Sequence, residues 1–320
     1  MWRWARLGAG AAILGAVVWR LGTGPIVAGL HTIDAGALVA AAAITAVTTV
    51  CSACRWMLVA RGVGVALPLR TAVGAYYRSQ FLNVTLPGGV LGDVHRAVRH
   101  GRDAGDVARG VRGVVWERAA GQLVQVSVAV IVLLALASPV QPVMPLVLVL
   151  LLASVLAARR VLRLTGSGGS RWARTLRTAR ADVRNGLLAP AVWPGVLVAS
   201  VVAVAGHAAI FLLSCRTAGS PVSTLHLLPI AMLVLVASSV PTNIGGWGPR
   251  EGAAAWAFAA SGSSAAAGVA TATVYGVLVC AGALPGAAVL VTGWLARGHR
   301  QDSAPGGEQA PRLQEGAVRG

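Results

Sequence analysis

Long apolar runs carrying almost no charge restrict this chain to very few folds. Six segments read as spanning helices: 7–24, 36–60, 119–137, 143–158, 187–214 and 264–296. Most reach or approach the roughly 20 residues that a helix needs to cross a bilayer. Composition agrees, with 12% charged residues where a soluble domain carries about 25%, and a mean hydropathy of +0.72. Lipid offers the backbone no hydrogen-bond partner, so runs of this length and composition must be helical. The expected fold class is an all-α, polytopic integral membrane protein.

Charge sets the expected orientation. The formal net charge is +17, and every positive side chain is an arginine, since the chain contains no lysine. The arginines fall between apolar runs, which points to topology and anionic lipid rather than to nucleic acid. Eight of them occupy the loop 159–184, whereas 25–35 and 138–142 hold none. Both termini are therefore expected in the cytoplasm; the lack of lysine and the wealth of Ala, Gly, Val and Arg fit a GC-rich bacterial genome, and the expected location is a bacterial cytoplasmic (inner) membrane. The Arg-rich loop 159–184 would contact the anionic membrane surface. Residues 1–297 form one transmembrane domain, and the polar tail 298–320 is expected to be disordered. The N-terminal segment has the charge order of a signal peptide but reads as a retained helix. The segment 103–118 is expected to be an interfacial helix with Asp103 as N-cap and Asp106 in its first turn.

Two apolar pieces do not fit simple spans. Residues 72–92 end in Leu86-Pro87-Gly88-Gly89-Val90-Leu91-Gly92, with Asp93 next, and 222–260 are split by Pro241-Thr242-Asn243-Ile244-Gly245-Gly246-Trp247-Gly248-Pro249-Arg250, with Glu251 next. With six full spans, each piece must return to its own side. The reading is two oppositely oriented re-entrant hairpins, or eight helices if these are counted as spans. Broken elements at matching places in two halves suggest an inverted repeat with a site near the midplane.

Three acids stand out in the apolar body, each with an arginine close in sequence: Asp93 with Arg96, Glu117 with Arg118, and Glu251 with Arg250. A charge at the centre of a membrane helix costs about 2.5–3.5 kcal/mol on insertion scales, so these groups must pair or face water. One reading is a charged vestibule for a lipid headgroup. The planar fork of arginine suits phosphate, and a glycine-rich turn leading into a helix exposes N–H donors to it. The other reading is ion pairs that close helix ends, with glycines serving tight turns and close packing. Arg55 is expected to snorkel to the cytoplasmic surface, and Tyr76, Tyr77 and Trp247 to be interfacial anchors. His95 could shuttle a proton beside Asp93, while His207 reads as a packed residue. Cys51 and Cys54 form a CxxC inside an apolar helix, with no second pair to complete a metal site. No HExxH, Walker loop, GxSxG or DxD motif is present, so neither enzyme activity, nor a cofactor, nor a metal is expected.

The run Tyr77-Arg78-Ser79-Gln80-Phe81-Leu82-Asn83-Val84-Thr85-Leu86-Pro87-Gly88-Gly89, followed by Gly92-Asp93 and Arg96, resembles the first signature of the flippase-like membrane domain of lysylphosphatidylglycerol synthases. Glu117-Arg118 with Gly121 is similar to the next signature, and Pro241, Gly245-Gly246, Gly248 and Arg250-Glu251-Gly252 to the late one. Leu91 and Pro249 depart from the pattern, standing where a glycine and an aliphatic residue are common. The resemblance covers about 5–296. It implies a lipid flippase or transporter for a phosphate-bearing lipid, a phospholipid of the aminoacyl type or a polyprenyl-phosphate. On this basis the candidate substrate-binding residues are Asn83, Pro87, Gly88, Gly89, Gly92, Asp93, Arg96, Glu117, Arg118, Pro241, Gly245, Gly246, Gly248, Arg250 and Glu251. No soluble aminoacyltransferase domain is apparent, so synthesis of the lipid by this chain alone is not expected. The alternative is a membrane scaffold that presents a lipid-linked substrate to a partner glycosyltransferase or aminoacyltransferase.

Overall fold

The computed structural model describes residues 15, 18–19, 22–86, 89–164, 171–220, 222–240 and 247–302, and every regular element among them is helical. Most of the first expected span, the Gly/Ser stretch 165–170 and the tail from 303 lie outside the described residues, as do Pro87, Gly88, Pro241, Gly245 and Gly246.

The order begins with α1 (Gly24–His31), α2 (Ala35–Gly62), α3 (Leu69–Thr85), α4 (Leu91–Asp103) and α5 (Val107–Ala135). It continues with α6 (Met144–Leu164), α7 (Arg171–Asp182), a π-turn over Val183–Leu187, α8 (Trp193–Thr217), α9 (Thr224–Ser238), α10 (Pro249–Ala260), α11 (Ala265–Ala283) and α12 (Pro285–Asp302). Five stretches are long and apolar enough to cross a membrane: Ala35–Gly62, Val107–Ala135, Gln141–Val161, Trp193–Thr217 and Ala265–Thr292. They coincide with the second to sixth expected spans, and the protein is an all-helical membrane protein.

The long helices α2, α5, α8 and α11 pack around one another, with α3/α4 and α9/α10 set against them, while α6 makes its main contacts with α5 and its own leading 3-10 turn. The core is built largely of Ala, Val, Ile and Leu with Phe211, Phe258, Trp56 and Tyr275 buried among them. Small side chains let helix backbones approach, which is the packing available where lipid removes the hydrophobic drive. The sequence long helix, interrupted pair, long helix occurs twice: α2, α3/α4, α5 and then α8, α9/α10, α11.

Three expectations need correction. Residues 107–118 are not a separate interfacial helix but the first turns of α5, which runs unbroken for 29 residues. Its N-cap is Asp106, whose carboxylate accepts from the Arg109 amide at 2.9 Å, whereas Asp103 is the last residue of α4. Gly105 between them has φ +72, and its left-handed turn ends α4 and frees the following aspartate to cap. The last span, Ala265–Thr292, is one crossing stretch but not one unbroken helix: Pro285 has no N–H to continue the ladder, and a one-residue interruption at Leu284 separates α11 from α12. The Arg-rich segment 159–184 is largely helix rather than loop, in the end of α6, in α7 and in the π-turn. Asp182 ties it to α5 through an ion pair with Arg112 at 2.9 Å and a bond from the Trp116 indole at 3.2 Å.

Candidate functional site

The site is assembled from side chains that are far apart in sequence. Helix α4 is amphipathic, and Gly92, Arg96 and His100 at four-residue spacing share its buried face. That face lies against α3 and α5. A Cβ on Gly92 would run into the backbone of Ser79, so only glycine permits this approach of α4 to α3. The Gly92 amide donates to Asn83 Oδ1 at 2.8 Å, which satisfies one of the free N–H groups at the start of α4.

Close approach delivers Asp93 to four donors. Oδ1 accepts from Ser79 Oγ at 2.9 Å and Arg96 Nη2 at 3.1 Å; Oδ2 accepts from Asn83 Nδ2 at 3.2 Å and Arg118 Nη2 at 2.6 Å. Burial pushes the Asp93 carboxyl up, but Arg118 and then Arg96 outweigh it and hold it well below the ordinary carboxylate range. Glu117 is fully buried. Its Oε1 accepts from Arg55 Nε at 2.9 Å, Arg55 Nη2 at 2.5 Å and the Tyr76 hydroxyl at 3.0 Å, and its Oε2 accepts from Arg96 Nη2 at 2.9 Å. Arg96 is the hinge of this network. Its guanidinium lies between the rings of Trp56 and Tyr76, 4.4 and 4.3 Å from their centroids. Nε and Nη1 have no hydrogen-bond partner there, and the two ring faces supply the cation with favourable quadrupoles in place of acceptors.

The second cluster is smaller. Gly248, at φ +117, is the N-cap of α10, and its amide donates to Glu251 Oε2 at 2.7 Å. Glu251 Oε1 accepts from Arg250 Nε at 2.8 Å and Nη2 at 2.5 Å. The Arg250 guanidinium lies 5.0 and 5.7 Å from the ring centroids of Trp247 and Tyr275, and against Gly276 of α11. Arg55 lies in the same way against Gly121 of α5.

Both clusters reach one cavity of about 780 Å³, lined by Asn83, Gly89, Asp93, Arg55, Arg118 and Arg250 among others. Arg96, Glu117, Gly92, Gly248 and Glu251 stand behind its wall rather than in it. The rest of the lining mixes Val84, Val90, Val94, Val111, Val115 and Leu235 with Gln80, Gln122, Gln125, Ser200 and His207. This size is typical of a small-molecule site, and so is an apolar wall with a few convergent polar groups.

Two pairings differ from those expected. Glu117 does not pair with its neighbour Arg118; consecutive residues on a helix point about 100° apart, so Glu117 meets Arg55 and Arg96 while Arg118 meets Asp93. Arg55 does not snorkel: it is 6% exposed and ion-paired within the bundle. Tyr76 is likewise a buried donor and not an interfacial anchor. The signal for Arg55 was present, since it is a charge set within the long apolar helix α2, where it needs a partner. Ser79, Ser200, Gln125, Tyr275 and Gly276 had no such signal. Among the described residues no cluster of His, Cys, Asp and Glu could hold a metal.

The class is thus a polytopic helical membrane protein with a charged cavity between two interrupted helix pairs and the long helices. The family model described as the lysylphosphatidylglycerol synthase TM region matches residues 3–286, and the chain belongs to that family. No curated protein and no solved structure matches it.

Proposed function

We propose that this protein binds a phosphate-bearing lipid in the central cavity and moves it between the leaflets of a bacterial cytoplasmic membrane. The observation that carries this reading is the cavity itself, where arginines from three different helices meet an otherwise largely apolar wall. A lipid has the matching division, with one charged group and long apolar chains. Membership of the family agrees with a lipid-related membrane role.

In this reading α3/α4 and α9/α10 are the two re-entrant hairpins. Helices of 17, 13, 15 and 12 residues are about 26, 20, 22 and 18 Å long at 1.5 Å per residue, each short of a bilayer core of roughly 30 Å. Opposite entry of the two hairpins would make the doubled element order an inverted repeat, and rocking of one half on the other would expose the cavity alternately. The exposed arginines of α7 would rest on anionic headgroups at the cytoplasmic face, with both termini on that side.

The test is leaflet exchange of headgroup-labelled lipid in proteoliposomes. The purified protein should accelerate exchange of an anionic phospholipid or a polyprenyl phosphate over protein-free vesicles. No acceleration with either, by protein shown to be folded, refutes the proposal and leaves the scaffold reading, which calls for a co-purifying membrane enzyme.

A further inference from the structure

We propose that the cavity selects a lipid whose headgroup is a net anion, and rejects one carrying an ammonium group. Resting on the lipid-binding reading above, this names the class of lipid from the hydrogen-bond capacity that the site leaves open.

A cationic headgroup needs an acceptor, best a carboxylate. The one carboxylate that lines the cavity among the described residues is Asp93. A carboxylate has four lone-pair positions, and Asp93 receives four donors, from Ser79, Arg96, Asn83 and Arg118. Glu117 and Glu251 are fully buried behind the wall. Each is held by an arginine through Oε1, Glu117 also accepts from Tyr76 and Arg96 and Glu251 from the Gly248 amide, and burial closes the rest of each carboxylate to the cavity. None of the three acids is open to an ammonium.

Donors are in the opposite condition. The Arg118 side chain is 47% exposed, lines the cavity, and uses one nitrogen on Asp93. A guanidinium carries five N–H donors in a planar fork, and among the described residues Arg118 has no second acceptor. Arg250 also lines the cavity and spends Nε and Nη2 on Glu251, and among the described residues Nη1 has no acceptor. The charge balance points the same way. Arg55, Arg96, Arg118 and Arg250 face Asp93, Glu117 and Glu251, so one positive charge is uncompensated. An incoming phosphodiester or phosphomonoester would both fill the open donors and balance that charge. A headgroup with a phosphate and an ammonium would bring a second cation against Arg118, and among the described residues the lining offers it neutral acceptors such as Gln122 and Gln125 but no open carboxylate to balance its charge. The apolar remainder of the lining commits the ligand to a lipid rather than a free phosphate ester.

Binding of short-chain lipids to the detergent-purified protein, read by competition against a fluorescent phosphatidylglycerol, tests this without any transport step. Phosphatidylglycerol should bind at least tenfold more tightly than lysylphosphatidylglycerol or phosphatidylethanolamine of the same chain length. Arg118→Gln should abolish that preference, while Arg118→Lys, which keeps the charge and the Asp93 pair, should retain part of it. Glycerol phosphate should compete only at far higher concentration. Equal or tighter binding of the lysyl lipid overturns the proposal, as does a preference for phosphatidylglycerol that survives intact in Arg118→Gln when the variant elutes and melts as a folded protein. Anion preference without leaflet exchange would refute transport and leave the headgroup assignment standing; glycerol phosphate binding as tightly as the lipid would refute the lipid instead.

Discussion

Replacing Glu117 by glutamine should be among the most destabilising single changes in the protein. The side chain is fully buried and accepts from Arg55, Tyr76 and Arg96. Glutamine keeps the shape but removes the charge, and its amide nitrogen presents donors where only donors already point. Arg96 retains Asp93, but Arg55, itself 6% exposed, loses the single acid it pairs with. Breaking a buried pair from one side costs about 3–5 kcal/mol, because the remaining charge is stranded. For a chain of this size that corresponds to a fall of roughly 5–8 °C in unfolding midpoint. Tryptophan-fluorescence unfolding in detergent at one fixed scan rate reads the shift. Asp106→Ala is the internal standard: it removes an exposed cap and an exposed ion pair with Arg109, for a loss of about 1 kcal/mol. Arg55→Gln with Glu117→Gln should cost clearly less than the sum of the two single changes, since each alone strands the other's charge. If Glu117→Gln melts no lower than Asp106→Ala, the network does not hold the bundle together and the reasoning fails.

Two further outcomes test the packing. Gly92→Ala should lower stability by about 1–3 kcal/mol through overpacking against Ser79, whereas Gly24→Ala, with open space around it, should be neutral or slightly stabilising; equal effects of the two in the same unfolding assay would contradict the close approach of α4 to α3. Gln125 donates to Leu235 O and Ser239 Oγ, both at 2.9 Å, and so joins α5 to the end of α9. Gln125→Ala should cost about 1–3 kcal/mol for two bonds and raise amide hydrogen exchange at Ser238 and Ser239, and unchanged exchange there would show that the link does not restrain α9.

Much of the architecture was legible in the sequence. Apolar runs of spanning length define the long helices, because a backbone in lipid can satisfy its hydrogen bonds in few other ways. The Pro-Gly breaks mark where α3 and α9 stop, for proline ends the donor ladder and glycine opens conformations closed to other residues. The isolation of Asp93, Glu117 and Glu251 in an apolar chain announces that each needs a partner. Local sequence was a poorer guide to element ends, as the unbroken α5 shows: the arginines of its first turns read as a surface helix, yet Gly110, Gly113, Val114 and Glu117 are buried in one bundle with the apolar remainder.

The sequence by itself determined that charges must meet inside a helical membrane protein; only the tertiary structure decided which ones. Proximity along the chain suggested Glu117 with Arg118, and it failed because a helix turns about 100° per residue and sends neighbours to different faces. Asp93 keeps its expected partner Arg96, but the added partners, Arg55 and Arg96 for Glu117 and Arg118 for Asp93, come from α2, α4 and α5, whose relative placement depends on packing contacts such as Gly92 on Ser79. Arg250 and Glu251 kept their sequence pairing because they begin a helix, where Glu251 can turn back to the Gly248 amide and still hold its neighbour's guanidinium. The shared cavity follows from the same cause: it is the space left where two interrupted helix pairs meet the long helices, and no stretch of sequence contains it.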